Sequence, residues 1–277
     1  MRALFLASAI FVASPAIAQN ASTRNQGALS FTGGLDVPSI YYFRGFRQER
    51  DPKVTLWPFM DLGITFRSGD GPFDRVGVNL GTWNSLNTGS SGLEGPAQGL
   101  HYEEDFYATF GMGLGAGLGL GITYTAYTSP NNMATTIKEA SLKVSRAGWL
   151  SPYGLVAFEL SDNGQADSGS SKGTYVEFGA SPAWSWKRLT FSGPMRVGLS
   201  AQDYYEGRDG DETFGFFDVG ALVTFPLGVP DRFGSWNVHG GASYLLLGDT
   251  TEARNIDQDG NISDRAVVTI FGVGVSY

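Results

Sequence analysis

Only two histidines, His101 and His239, stand in a chain of 277 residues that has no cysteine. Thiolate metal sites and thiol redox chemistry are therefore excluded. Nucleophilic catalysis would have to join a serine to one of these imidazoles with a third group to orient it. His101 falls in an expected loop, and His239 lies among Asn237, Gly241 and Ser243 on one face of an expected strand. Neither context holds a base against a nucleophile, so no catalytic residue is assigned, no cofactor is expected, and a lipid-acting enzyme ranks below the other readings. The run Asp257, Asp259, Asn261, Ser263 puts oxygen atoms at alternate positions, as a calcium loop does. Ile262 occupies the place where such a loop needs glycine, and no glutamate closes it, so an exposed Asp-Gly turn is the better reading and these four remain weak calcium candidates. A net charge of −8 leaves no basic footprint for nucleic acid.

The remaining ionisable residues make sense only on the elements that carry them. Apolar residues alternate with Gly, Ser, Thr and charge along almost every stretch, most plainly in Val267, Thr269, Phe271, Val273, Val275 and Tyr277 against Val268, Ile270, Gly272, Gly274 and Ser276. Period 2 means β-strands. No stretch beyond the N-terminus approaches the roughly 18 uninterrupted apolar residues of a membrane helix, so a membrane form of this chain must be a barrel. The expected fold is all-β, a transmembrane antiparallel up-and-down β-barrel of about 12 strands, with 10 or 14 as alternatives. Strands are expected near 28–37, 53–66, 75–84, 104–114, 117–127, 136–145, 152–161, 173–184, 189–202, 214–226, 235–247 and 265–277. Short connections alternate with longer ones, such as 85–103, 162–172, 203–213 and 248–264, which would put turns at one end and loops at the other.

Inward projection by the alternation gives Asp36, Asp61, Glu139, Glu159, Glu177 and Asp218 against Lys143 and Arg196, with His239 on the same side. These nine are the expected pore-lining residues, and their acidic excess implies a hydrated lumen that prefers cations. A salt-bridged, closed interior is the alternative. Phe66, Trp149, Tyr153, Trp184, Trp186, Phe191, Phe225, Trp236 and Tyr277 flank short turns as one aromatic girdle would, and Tyr41, Tyr42, Tyr127 and Phe214 would supply the other. A turn centred on Trp186 and Lys187 sets Glu177 directly opposite Arg196, which predicts a cross-strand ion pair.

At the N-terminus Arg2, the apolar run 3–13 and Ala16-Ile17-Ala18 have the three zones of an export signal. Residues 1–18 are thus expected to be a signal peptide and 19–277 the barrel, exported to the outer membrane of a Gram-negative cell. The expected partners are outer-membrane lipid and lipopolysaccharide, the barrel assembly machinery through the strand ending at Tyr277, and small solutes.

The run Tyr41-Tyr42-Phe43-Arg44-Gly45-Phe46-Arg47-Gln48, followed by Asp51-Pro52, resembles the N-terminal signature of the TorF-like porins, with Arg47 where that family usually has serine. The likeness covers about forty residues. It implies an outer-membrane channel and supplies no catalytic residue. Arg44 and Gln48, read as a strand end, are expected at the outer mouth. The function expected is passive diffusion of small, cation-biased solutes, with a structural or adhesive barrel lacking an open pore as the alternative.

Overall fold

A strand with one apolar face and one polar face needs its apolar side covered and both ladder edges paired; closing the sheet on itself meets the second need. The computed structural model describes residues 28–91, 100–131, 135–161, 171–207 and 210–277, so the expected signal peptide lies outside the described residues. Twelve antiparallel strands form one closed barrel: β1 (Leu29–Pro38), β2 (Thr55–Ser68), β3 (Arg75–Asn87), β4 (His101–Gly113), β5 (Leu118–Thr128), β6 (Ile137–Arg146), β7 (Tyr153–Glu159), β8 (Thr174–Ala180 and Ala183–Trp186), β9 (Leu189–Ser192 and Met195–Gln202), β10 (Phe214–Pro226), β11 (Ser235–Leu247) and β12 (Arg265–Ser276). Pro182 and Pro194, which have no N–H for a ladder, fall in the breaks of β8 and β9. Each strand pairs with its neighbour in sequence, and β1 pairs with β12 from Thr32↔Ser276 to Pro38↔Ile270. Among the described residues the helices are α1 (Asp249–Ala253) and one 3₁₀ turn, Asp231–Phe233.

Both ends of the described chain lie at the end with short turns; longer connections gather at the other, here the loop end. Apolar residues face outward, with Met60, Leu80, Phe106, Ile122, Val267 and Phe271 exposed. At the turn end Phe66, Trp149, Trp184, Trp186 and Tyr277 are also exposed, and Trp184 stacks on Phe191 at 5.7 Å. Tyr153 departs from this girdle. It points inward and donates to Glu177 Oε1 at 2.6 Å.

The turn between β8 and β9 is centred on Lys187 and Arg188, so Trp186 faces Leu189 and Trp184 faces Phe191. That is two residues from the expected register. Glu177 lies opposite Gly198, and Gly179 opposite Arg196. The cause is visible at the turn: the Lys187 ammonium lies 4.6 Å from the Trp186 ring centroid and the Arg188 guanidinium 5.8 Å from that of Phe225. Two cations leave the strands and rest on aromatic faces, while Trp186 keeps its place in the ladder.

Candidate functional site

Past Pro38 the chain leaves the ladder and turns into the barrel. Tyr42↔Arg47 and Phe43↔Phe46 form a small hairpin whose turn is Arg44 (φ 42°) and Gly45 (φ 87°). Glycine takes that conformation freely; arginine does so only when its surroundings hold it. They do. The Arg44 guanidinium makes a two-pronged contact with Glu139 on β6, Nη1 to Oε2 at 2.7 Å and Nη2 to Oε1 at 2.8 Å, and donates to Tyr204 Oη at 2.8 Å. Its carbonyl accepts from the Tyr205 hydroxyl at 3.0 Å. Further back, the Tyr41 hydroxyl donates to Glu103 at 2.9 Å, the Tyr42 hydroxyl to Asn255 at 2.6 Å, and the Tyr102 hydroxyl to Gln48 at 3.0 Å. Glu49 accepts from the Tyr41 N–H at 2.8 Å and from the Thr55 hydroxyl. Burial pushes the Glu49 carboxyl above the ordinary range, and these two hydrogen bonds pull it back in part.

Arg44 and Gln48 are therefore not on a strand end at the rim but buried on an inward-folded segment. Tyr41, Tyr42 and Tyr127 are buried inside as well, so of the four expected girdle aromatics at this end only Phe214 is exposed. Ring after ring packs around the hairpin: Tyr41 lies 5.3 Å from Trp57 and 5.5 Å from Trp83, and Phe46 lies 5.5 Å from Tyr205. α1 closes in from above, where Thr251 donates to the Gly215 carbonyl. The barrel interior at the loop end is thus an aromatic core threaded by polar contacts, in contrast to the wholly polar, hydrated interior expected from alternation.

The turn end is different. A Cβ placed on Gly111 would meet nothing within 4 Å, and one on Gly121 only Thr109 at 3.6 Å. Thr109 and Thr123 share a hydrogen bond at 2.8 Å, and Lys143 rests on the Tyr153 ring at 4.2 Å. This stretch of wall is lined by Gly and Thr beside a cation.

Asp36, Glu139, Glu159, Glu177 and Asp218 are buried, while Asp61, Lys143, Arg196 and His239 are half-buried. Arg196 faces Asp218 across β9 and β10 and donates to its Oδ2 at 3.0 and 3.1 Å; Glu177 lies 3.8 Å away on the other side. The expected Glu177–Arg196 contact therefore exists as a diagonal one, and Asp218 is the closer partner. Asp36 and His239 meet at 2.9 Å although β12 runs between their strands. They meet over Gly272, where any Cβ would run into both. In the same way Tyr107 lies across Gly81 and hydrogen-bonds Asp61. Glu49, Glu103 and Asp105 are absent from the expected lining: Glu49 and Glu103 fall outside the expected strands, and Asp105 lies inside 104–114 on the same face as Tyr107 and Thr109. All three are buried acids.

In the loop before β12, both oxygens of Asp257 are engaged locally, Oδ1 by the N–H groups of Asp259 and Asn261 at 2.9 and 2.8 Å and Oδ2 by Asn261 Nδ2 at 3.0 Å. These bonds hold the Asp257 carboxyl below the ordinary range. Ser263 Oγ donates to the Arg265 carbonyl at 3.0 Å. Asp257 organises a turn, with Gly260 at φ 82°.

No protein-family model matches the chain, so the likeness of residues 41–52 to the TorF-like porins rests on those residues alone. No curated protein matches it either. Among solved structures the chain is similar to the NanC porin (10% identity, TM-score 0.43, covering 90% of this chain and 99% of that one) and to the KdgM porin (8%, 0.41, 90% and 99%). It is similar to the same degree to the translocator domain of the autotransporter NalP from Neisseria meningitidis (11%, 0.40, 94% and 92%). At these values no argument about activity follows from the likeness.

Proposed function

We propose that the protein is an outer-membrane channel for small polar solutes, biased towards cations, whose loop end faces outward and is narrowed by the hairpin Tyr42–Arg47. The observation that carries this reading is the closed twelve-strand wall, apolar outside, with a Gly- and Thr-lined stretch at one end and charged rows inside. Twelve strands enclose more space than side chains alone fill in eight-stranded barrels, and here a chain segment occupies the surplus. Among the described residues buried acids outnumber buried bases, which favours cations along any hydrated path. The signature around Arg44 supports membership of a porin family, and the exposed aromatics suit lipid interfaces. Residues 1–18 would direct export, and the strand ending at Tyr277 would engage the assembly machinery.

The packed loop end favours a second reading, a barrel that stays shut and serves a structural or adhesive role. Planar-bilayer recording under a salt gradient decides between them. The channel reading expects current from the wild type with a reversal potential on the cation side, and a larger current when residues 42–47 are deleted. No current from either protein leaves the structural reading, and an anion-side reversal potential overturns the cation bias.

A further inference from the structure

The Arg44 guanidinium lies 4.0 Å from the Tyr175 ring centroid, 4.9 Å from that of Phe43 and 5.3 Å from that of Tyr204. A carboxylate, Glu139, grips it with both oxygens, itself oriented by the Tyr127 hydroxyl at 3.2 Å. Rings around a cation with an acid at the end form a recognition site for organic cations. Two of these rings, Tyr175 on β8 and Tyr204 in the segment before β10, belong to the barrel wall and its loops, as do the acid on β6 and Tyr127 on β5; the cation and Phe43 come from the hairpin. Glu159 stands directly opposite Glu139 across β6 and β7 and is also buried, so the wall would hold two acids near each other if Arg44 left.

We propose that this cage is a binding site for guanidinium-type organic cations, filled in the closed protein by Arg44 as a tethered ligand, and that a solute of the same chemistry takes Arg44's place when the hairpin withdraws. The hairpin's two short strands pair only with each other. Withdrawal would break the side-chain bonds of Tyr42 and Arg44 but no strand pairing of the wall. This inference rests on the channel reading for its transport role, but the site itself can be tested without current.

Arg44→Ala vacates the cage, and its folding is verified by heat-modifiable migration. Guanidinium chloride at low millimolar concentration is then compared with equal potassium chloride on two readouts, the thermal midpoint and the single-channel current. The expected result is that guanidinium, and not potassium, raises the midpoint of Arg44→Ala and lowers its current to the wild-type level. Adding Glu139→Gln to the same protein should weaken that response by about tenfold or more. Should Arg44→Ala fold poorly, refolding yield becomes the readout, together with Arg44→Gln; a yield that rises with guanidinium supports the site. Identical behaviour in guanidinium and potassium overturns it. A guanidinium-raised midpoint in proteins that never conduct keeps the site and removes the channel reading, whereas a larger current in Arg44→Ala that ignores guanidinium does the reverse.

Discussion

Arg196 serves two acids at once, Asp218 at 3.0 Å and Glu177 at 3.8 Å, in a place where little water reaches. Removing one member of such a group leaves the others buried and uncompensated, which costs more than the group contributes when whole. Arg196→Ala should lower stability by about 3 kcal/mol, read as a drop in the urea midpoint of the refolded barrel. Lys143→Ala should cost clearly less, because Lys143 rests on a ring rather than between carboxylates. On the channel reading Arg196→Ala should also raise cation preference more than Lys143→Ala; equal shifts in reversal potential would place the Arg196 group away from the constriction. Glu49 gives a pH test with a definite sign. Its carboxyl is raised in the folded state by burial, so its contribution to stability is complete at low pH and lost as pH rises through the raised value. Wild-type stability should therefore decline over that window relative to Glu49→Gln, and parallel pH profiles would show that Glu49 does not titrate in the folded protein.

Glycine at inward positions sets what neighbouring strands can do to each other. Gly272 lets Asp36 reach His239 across a whole strand, a contact that ties β1 to β11 over the closing seam. Gly111 has open space before it. Gly272→Ala should cost about 1–3 kcal/mol by overpacking, whereas Gly111→Ala should change stability by about 0.5 kcal/mol or less in either direction, or raise it slightly by restricting the unfolded chain. Unfolding midpoints of the two variants check this, and equal losses would mean that the crossing contact is not what Gly272 protects. The broken strands β8 and β9 follow a related logic. Proline interrupts the ladder at Pro182 and Pro194, and Gly193 N–H still bonds the Pro182 carbonyl at 2.9 Å, so the wall stays continuous around both breaks.

At the scale of the molecule, a closed ladder with no free edge resists detergent until heated. The folded protein should migrate faster than its boiled form in gel electrophoresis and fractionate with outer membranes; recovery from the soluble periplasm would end the membrane reading. Which parts of this architecture were legible in the sequence follows from how local each signal is. Alternation is carried by adjacent residues, and it placed β10 and β11 at their observed bounds, 214–226 and 235–247. It also put Asp36, Glu139, Glu159, Glu177 and Asp218 on the inward face, because side-chain direction in a strand is fixed by parity. Segment 39–51 has no such local rule. Tyr41, Tyr42 and Phe43 read equally as a girdle or a core, since an aromatic ring beside a polar tip suits both. Their destination was settled by Glu103, Glu139, Tyr204, Tyr205 and Asn255, partners 62 to 213 residues away in the chain. The register of β8 and β9 was equally out of reach, because a turn can slip by one position while parity along both strands is preserved. The sequence by itself therefore determined the strands and their faces, which are properties of near neighbours, and required closure only through the rule that a sheet edge cannot stay unpaired in a membrane. Only the tertiary structure decided that the barrel folds one of its own loops into its lumen, because that choice depends on contacts that exist only once the wall has closed.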